Sequence, residues 1–379
     1  MDVRYIDSEG DFEDARALIQ GLRRVALDCE AAGFHRYDDR LSLVQLTAGP
    51  VTLLLDPFTL PLGDLLGPIV EARDIEVVMH GADYDVRLLD RDLGLTLRGL
   101  FDTQIAAALL GYSALGLSSL LEDHFGIRLS KKYQRADWAQ RPLPGEMLEY
   151  AATDTLHLER LAELLRDELR EKGRLHWAEE EFQELEKVRF DRPDPEQDPV
   201  TRVKHARKLE PRQVDRLREA LDWRDAIARE RDRAHFRVVG DPVLVSVAQN
   251  GVRSVRELAD LQGMNGGLAR GEGEALIERL ERVEKLPDEA LTGYPAAPRT
   301  GGRGRPTPEE EARMARIKDA RNRRAKELGI DRGTLFPNAF LEKVAEEEPD
   351  SLETLSELPG IRAWQVEAVG EALLDSLRT

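Results

Sequence analysis

The chain has 379 residues, enough for two or three domains, and its 41% hydrophobic content supports a full core and disfavours wholesale disorder. A formal net charge of −18 argues against a protein that coats nucleic acid, and the single cysteine excludes a disulfide framework. The sequence contains no apolar run of membrane-spanning length, and its first residues do not form a signal peptide, so we expect a cytoplasmic protein.

The first 190 residues predict a mixed α/β domain that opens with short β-type runs. In chain order these runs are "VRYI", "RVALDCEAA", "LSLVQLT", "VTLLLDP" and "IEVVMH". The second to fourth runs are joined by short turns, which predicts an antiparallel meander. After His80 the periodicity becomes helical, and the pattern predicts a long helix from about Pro144 to Gly173.

Two carboxylates interrupt the second of these runs. Asp28 and Glu30 are two residues apart, so a strand places both on one face, while Leu27 and Cys29 point the other way. Adjacent half-buried carboxylates repel each other and lose hydration unless a positive charge lies between them. The pair is therefore either a wet acidic face of an edge strand or part of a divalent-metal site.

Strand signals nearly vanish after the proline-rich acidic segment at 191–199. Residues 200–285 predict a small all-helical domain, and residues 311–379 predict a second one. The segment at 287–310 is rich in Gly and Pro and is predicted to be a linker.

The two helical domains resemble each other. Each begins with a basic amphipathic helix and ends in a similar motif, "SVRELADLQG" in the first and "SLETLSELPG" in the second. Residues 201–240 hold 12 Arg or Lys against 7 Asp or Glu, and residues 299–326 hold 10 against 4. These local excesses of positive charge predict contacts with nucleic-acid phosphates despite the acidic whole.

More carboxylates suited to a metal site occur further along the chain. Asp85 is predicted at the start of a helix that follows a strand, where open α/β sheets form their sites. Tyr150 and Asp154 are four residues apart and share one face of a helix. Each fragment alone is a weak signal, but the ordered set D-x-E, Asp and Y-x-x-x-D is much more specific.

This set of acids resembles the exonucleases with four acidic residues and a ribonuclease H-like fold, in the branch with a tyrosine before the last aspartate. The segments "FDTQIAAALLGY", "LSKKYQRADWAQRPL" and "EYAATD" are similar to the ribonuclease D family. The two helical domains resemble the HRDC domain found at the C-termini of RecQ-type helicases and ribonuclease D. The resemblance implies an α/β ribonuclease H-like exonuclease domain, with a mixed sheet flanked by helices, followed by two all-α HRDC-type bundles.

The resemblance also implies roles for individual residues. Asp28, Glu30, Asp85 and Asp154 would bind two Mg²⁺ or Mn²⁺ ions, with Asp28 bridging them. The two ions would drive an in-line displacement that releases nucleoside 5′-monophosphates, and Tyr150 would orient the attacking water. With a reference pKa near 10, a tyrosine positions water better than it removes a proton at neutral pH.

Five further residues are weaker candidates for substrate binding. Lys131 either meets the substrate phosphate or is a solvated loop lysine. Trp138 and Arg141 either hold their loop or stack on a nucleotide, and Trp138 also suits the core. His80 either lines the site or is a structural histidine, and Gln45 is equally open.

Two neighbouring positions have structural expectations. Asp102, in "FDTQ", is predicted to cap the helix that begins near Thr103 in preference to contacting metal. Cys29 stands where the family commonly has Thr, and it is expected to face away from the metals.

The favoured function is a 3′–5′ exoribonuclease that trims tRNA precursors and other structured RNAs, acting as a monomer without a membrane or nucleotide cofactor. A 3′–5′ DNA exonuclease is the second hypothesis, because nothing in the four acids reads a 2′-hydroxyl. A catalytically inactive nucleic-acid-binding scaffold is the third, although a scaffold has no reason to retain a costly cluster of like charges.

Overall fold

A computed structural model describes residues 2–295 and 307–378. Its N-terminal domain is built on one six-stranded sheet, and the five predicted runs form its first five strands. The strands are β1 (Asp2–Ile6), β2 (Arg24–Ala31), β3 (Leu41–Ala48), β4 (Val51–Leu55), β5 (Glu76–Met79) and β6 (Leu100–Asp102). The short strand β6 is absent from the prediction, since three residues are too few to show an alternating pattern.

The sheet has the strand order β1-β4-β3-β2-β5-β6. Strands β2, β3 and β4 pair antiparallel, which confirms the predicted meander, while β5 and β6 extend the sheet in parallel with β2. The acidic strand β2 is therefore central, and the alternative of a wet edge strand is wrong.

Eight helices surround this sheet, and a π-helical turn at Leu89–Leu93 extends the third. The helices are α1 (Glu9–Ile19), α2 (Leu62–Val70), α3 (Asp83–Leu88), α4 (Thr103–Leu110), α5 (Leu117–Phe125), α6 (Gly145–Leu156), α7 (Leu158–Glu171) and α8 (Leu175–Leu185). The single long helix predicted from Pro144 is wrong, because the chain breaks at His157, where φ is −110° and ψ is 1°. Neither Gly nor Pro marks this break. It allows α6 to pack on β2, β3 and β4, while α7 packs on α4 and β5.

The remainder of the described chain is helical. Ten helices form two bundles, α9 to α13 and α14 to α18, with short 3₁₀ turns at Pro199–Arg202, Ala206–Lys208 and Asp288–Ala290. The helices are α9 (Pro211–Glu230), α10 (His235–Val238), α11 (Asp241–Asn250), α12 (Val255–Asp260), α13 (Gly266–Glu284), α14 (Pro308–Leu328), α15 (Arg332–Leu335), α16 (Asn338–Glu347), α17 (Leu352–Ser356) and α18 (Ala363–Arg378). Ser254 caps α12 and Ser351 caps α17, so the two similar motifs begin equivalent short helices.

The second bundle is docked on the nuclease domain. Trp177 of α8 stacks on Trp364 of α18, with ring centroids 5.1 Å apart, and the two domains share one hydrophobic core. The carboxylate of Glu180 accepts hydrogen bonds from the backbone N–H groups of Ala363 and Trp364 at 2.7 and 2.9 Å, which caps α18. Residues 296–306 of the predicted linker lie outside the described residues.

No helix within residues 2–295 and 307–378 combines the length and the apolar character that crossing a membrane requires.

Candidate active site

Strand β2 presents its two carboxylates on the sheet face that α6 covers. Asp28 lies directly opposite Gln45 of β3, and Glu30 lies opposite Leu43. Residues opposite each other in an antiparallel pair share a face, so these four side chains point toward α6, which packs on both strands.

Helix α6 carries Tyr150 and Asp154 one turn apart over this face. The ring of Tyr150 packs edge-on against Tyr133 at 5.8 Å and lies 6.1 Å from the ring of Trp138. The loop at 129–143 thus holds the tyrosine from one side. Among the described residues, no side chain hydrogen-bonds to the Tyr150 hydroxyl. Burial raises the pKa of this hydroxyl, and the carboxylates of Asp154 and Glu30 raise it further.

Asp85 enters the site from the first turn of α3, and it is only 7% exposed. The turn between β5 and α3 is fixed by Asp102, which is fully buried. Its carboxylate accepts from the backbone N–H groups of Gly81 and Ala82 at 3.0 and 2.7 Å, and also caps α4. The predicted capping role of Asp102 is confirmed, and the same side chain positions the helix that carries Asp85.

The four carboxylates act on one another's pKa values. Burial raises the pKa of Asp28 to about 7 and, with the Asp28 charge adding to it, the pKa of Asp154 to about 8. Burial also raises the pKa of Glu30 well above its usual range, and Asp28, Asp154 and Asp85 all push it further. The pKa of Asp85 is raised by burial and then by Asp28. Mutual repulsion of this kind requires that all four groups face one common space.

A divalent cation suits this set of donors. Throughout the described chain, none of the four carboxylates pairs with Arg or Lys, so their charges are not neutralised by the protein. Within the same residues, no three acidic, His or Cys side chains already stand in the arrangement of a bound ion. Like charges without a cation stay apart, and hard carboxylate oxygens are the ligands that Mg²⁺ and Mn²⁺ prefer. The residues therefore fit divalent metal ions, which exonucleases of this fold generally use.

Arg141 holds its loop to the sheet. All five of its N–H donors are used: Asp56 accepts twice, at 2.6 and 2.9 Å, and the carbonyls of Ser42, Trp138 and Gln140 accept the rest. Asp56 is fully buried, so this is an internal ion pair. Of the two predicted roles, the contacts favour the structural one.

Trp138 and Lys131 occupy opposite environments in the same loop. Trp138 is 2% exposed and packs in the small core under α6 with Leu43 and Leu54. Lys131 is exposed, and within the described residues its ammonium group has no carboxylate partner, whereas the neighbouring Lys132 pairs with Glu146 at 2.5 Å. Lys131 is thus free to meet a phosphate, while Trp138 packs in the core.

His80 and Gln45 are both inside the domain. The Nδ1 atom of His80 lies 2.9 Å from the Thr103 hydroxyl, and burial lowers the pKa of the imidazole. Gln45 is fully buried beside Asp28, and in the described part of the chain neither atom of its amide has a hydrogen-bond partner. An unpaired buried amide is costly, so Gln45 is the more unusual of the two.

Cys29 lies closer to the carboxylates than the alternation of the strand suggests. Burial raises the pKa of its thiol, and the neighbouring Asp85 carboxylate raises it further. Asp85 approaches from α3, so the thiol borders one member of the set, although β2 pairs Cys29 with Val44 on the face opposite to that of Asp28. That the thiol faces away from the metals stays a prediction.

Part of the positive charge of the basic segments is paired within the protein. Six arginines between 201 and 240 form ion pairs with acidic side chains of the same bundle: Arg212, Arg216, Arg218, Arg224, Arg229 and Arg231. Arg321 of α14 is buried and donates to the carbonyls of Arg332 and Phe336. Part of the local positive charge is therefore already engaged in contacts within the bundles.

Comparisons with known proteins agree with this architecture. A 3′–5′ exonuclease model matches residues 3–170, and an HRDC domain model matches residues 213–280 and 310–377. The fold and the carboxylate site define a 3′–5′ exonuclease with tandem HRDC domains.

The relatives narrow this class to one family. Ribonuclease D of Xanthomonas oryzae pv. oryzae is 31% identical over 338 residues, which covers 86% of each chain. The crystal structure of Escherichia coli RNase D, described as an exoribonuclease involved in structured RNA processing, has 28% identity and a TM-score of 0.70, and covers 100% of this chain and 99% of that one. A protein from Bifidobacterium adolescentis gives 25% identity and a TM-score of 0.82 over 99% of this chain and 97% of that one. The chain belongs to the ribonuclease D family and is a 3′–5′ exoribonuclease.

Proposed function

We propose that this exoribonuclease trims the 3′ ends of tRNA precursors and other structured RNAs by two-metal-ion hydrolysis. The observation that carries the proposal is the convergence of four carboxylates, that of Asp85 buried and the other three half-buried, which lack any cation partner among the described residues. The proposed domains are an exonuclease domain at 1–190 and HRDC domains at 200–285 and 311–379, joined by the linker at 287–310. A monomer and a location in the cytoplasm stay predictions.

Each side chain of the site has a proposed task. Asp28, Glu30, Asp85 and Asp154 would hold two Mg²⁺ or Mn²⁺ ions. Asp28 is the proposed shared ligand, because, beyond burial, its charge raises the pKa of each of the other three carboxylates. Bound ions of this kind supply a nucleophilic water and stabilise the oxygen that leaves. Tyr150 keeps its proton, since burial and the carboxylates raise its pKa, so its hydroxyl orients the attacking water as a hydrogen-bonding group.

RNA is favoured over DNA by the family of the chain and by its HRDC domains. The proposal of structured RNA as substrate is supported by the printed description of the E. coli relative. The four acids do not themselves contact a 2′-hydroxyl, so a DNA exonuclease remains the alternative for the assay to exclude.

The test follows shortening of 5′-labelled RNA and sequence-matched DNA, each with a free or a blocked 3′ end, in Mg²⁺ or Mn²⁺. The proteins are wild type, Asp85→Asn and the matched control Asp83→Asn, since Asp83 lies on the same helix but is exposed and paired with Arg87. We expect stepwise loss from free 3′ ends of RNA with wild type and Asp83→Asn, and none with Asp85→Asn or with EDTA. Equal attack on DNA would contradict the RNA assignment, and unchanged activity of Asp85→Asn would contradict the metal site.

A further inference from the structure

Two exposed phenylalanines meet where the exonuclease domain contacts the first HRDC bundle. Phe34 follows β2 and is 37% exposed, and Phe236 lies on α10 and is 54% exposed. Their ring centroids are 5.4 Å apart with an interplanar angle of 59°. Large apolar side chains that cluster in the open commonly mark a binding surface.

The backbone beneath these rings is held by polar contacts between the two domains. The N–H of Ala234 donates to the carbonyl of His35 at 3.1 Å, and the hydroxyl of Tyr37 donates to Asp225 at 2.8 Å. The guanidinium of Arg36 reaches Asp232 at 3.1 Å. These bonds hold the two domains together without the help of the phenylalanine pair. They also fix the backbone segments that carry the two rings.

Two arginines flank the pair. The guanidinium of Arg135 lies 5.8 Å from the centroid of the Phe34 ring, and that of Arg237 lies 5.5 Å from it. Neither has a carboxylate partner within residues 2–295 and 307–378, in contrast to the neighbouring Arg36. The cluster therefore combines flat apolar faces with unpaired positive charge, which is the combination that single-stranded nucleic acid requires.

The chain connection places the backbone of Phe34 near the carboxylate site. Phe34 follows Glu30 by four residues, which limits the distance between their Cα atoms to about 14 Å. The same loop is tied to α3, because the hydroxyl of Tyr84 donates to Asp39 at 2.6 Å, and Tyr84 precedes Asp85.

We propose that Phe34 and Phe236, with Arg135 and Arg237, form a stacking platform for a base of the single-stranded 3′ tail as it enters the active site. The proposal rests on RNA being the substrate. Stacking on a ring accepts any base, and the arginines meet the adjoining phosphates, so the platform favours tails of any sequence that extend beyond the active site.

The test compares kcat/KM on a ten-nucleotide single-stranded RNA with kcat/KM on a dinucleotide, which is too short to fill both the active site and the platform. Phe236→Leu keeps an apolar side chain but loses the aromatic face, and Phe236→Trp keeps that face. We expect Phe236→Leu to lower the ratio of long to short substrate by about tenfold, through KM, and Phe236→Trp to restore it. A ratio for Phe236→Leu equal to that of wild type would overturn the platform.

A second variant covers the case in which Phe236→Leu fails to fold. Arg135→Gln removes an exposed charge and should raise KM for the long RNA and lower the salt dependence of binding by about one unit of slope. Arg128→Gln is the matched control, since Arg128 is exposed and paired with Glu122 away from the rings. Identical salt slopes for Arg135→Gln and Arg128→Gln would contradict the proposal. Loss of all RNA shortening by wild type would instead contradict the proposed function.

Discussion

Gln45 of β3 lies directly opposite Asp28 of β2, and its amide is fully buried with neither polar atom hydrogen-bonded among the described residues. Leu54 of β4 flanks it on the other side. A buried amide without a hydrogen-bond partner lowers the stability of the fold. A residue with a purely structural role would be expected to raise it. We infer that the amide is available to a group that binds beside Asp28.

Gln45→Met should therefore stabilise the protein and slow its turnover of RNA. Removing the unpaired amide should raise the free energy of unfolding by about 1 kcal/mol, and turnover on RNA should fall about tenfold. Denaturant unfolding in EDTA and steady-state kinetics measure the two effects. Leu46→Met, a volume-conserving change at the next position, is the control. Wild-type turnover by the Gln45→Met variant would show that Gln45 has no functional role at the site.

Asp28→Asn should abolish turnover while stabilising the metal-free protein. The folded pKa of Asp28, about 7, exceeds its usual value of 3.8, so folding favours the protonated form. The resulting stability is present at low pH and is lost as pH rises from about 4 through 7. In EDTA, the melting temperature of Asp28→Asn should therefore exceed that of wild type by an amount that grows between pH 5 and pH 8.

The matched control for this prediction is Asp83→Asn, which changes an exposed carboxylate outside the carboxylate set. Its melting temperature should follow that of wild type at each pH. Adding Mn²⁺ should raise the melting temperature of wild type and of Asp83→Asn much more than that of Asp28→Asn. If Asp28→Asn were less stable than wild type at pH 8 in EDTA, the carboxylates would not repel one another as described.

Tyr150→Phe should lower kcat about 100-fold with little change in KM or in melting temperature. The hydroxyl has no hydrogen-bond partner in the described residues, so removing it breaks no contact within the fold, and only the orientation of water is lost. Tyr133→Phe is the control, because its hydroxyl contacts Glu146 at 2.5 Å and only its ring touches Tyr150. Wild-type kcat for Tyr150→Phe would assign the tyrosine to packing.

Arg141→Met should destabilise the protein and leave RNA binding unchanged at temperatures where the variant is folded. The substitution leaves the fully buried Asp56 carboxylate without its cationic partner. Losing one partner of a buried ion pair lowers the free energy of unfolding by about 3 kcal/mol or more. Arg141→Met combined with Asp56→Leu should recover much of that loss. A variant of normal stability but raised KM for RNA would show that Arg141 binds substrate.

The sequence pattern predicted the parts of the fold and the site that depend on local periodicity. Strands β2 to β4 follow from their short apolar runs of β-type residues. Spacings of two and four residues place Asp28 beside Glu30 on one strand and Tyr150 beside Asp154 on one helix. Asp102 was predictable as a cap because the capping residue lies next to the helix that it caps.

Features that depend on distant contacts could not be predicted in this way. The break at His157 carries no Gly or Pro and is set by the packing of α6 and α7 on different partners. The sequence leaves Arg141 open between holding its loop and stacking on a nucleotide, and the ion pair with the distant Asp56 favours the first. Phe34 and Phe236 are 202 residues apart in sequence, and only the docked domains bring their rings together.

Anomalous diffraction from Mn²⁺-soaked crystals of the full chain tests the central claim most directly. The account predicts two peaks among the carboxylates of Asp28, Glu30, Asp85 and Asp154, with Asp28 in contact with both, and none in crystals of Asp28→Asn. Peaks located elsewhere in the protein, or wild-type crystals without any peak at these four residues while the enzyme is active in Mn²⁺, would contradict it.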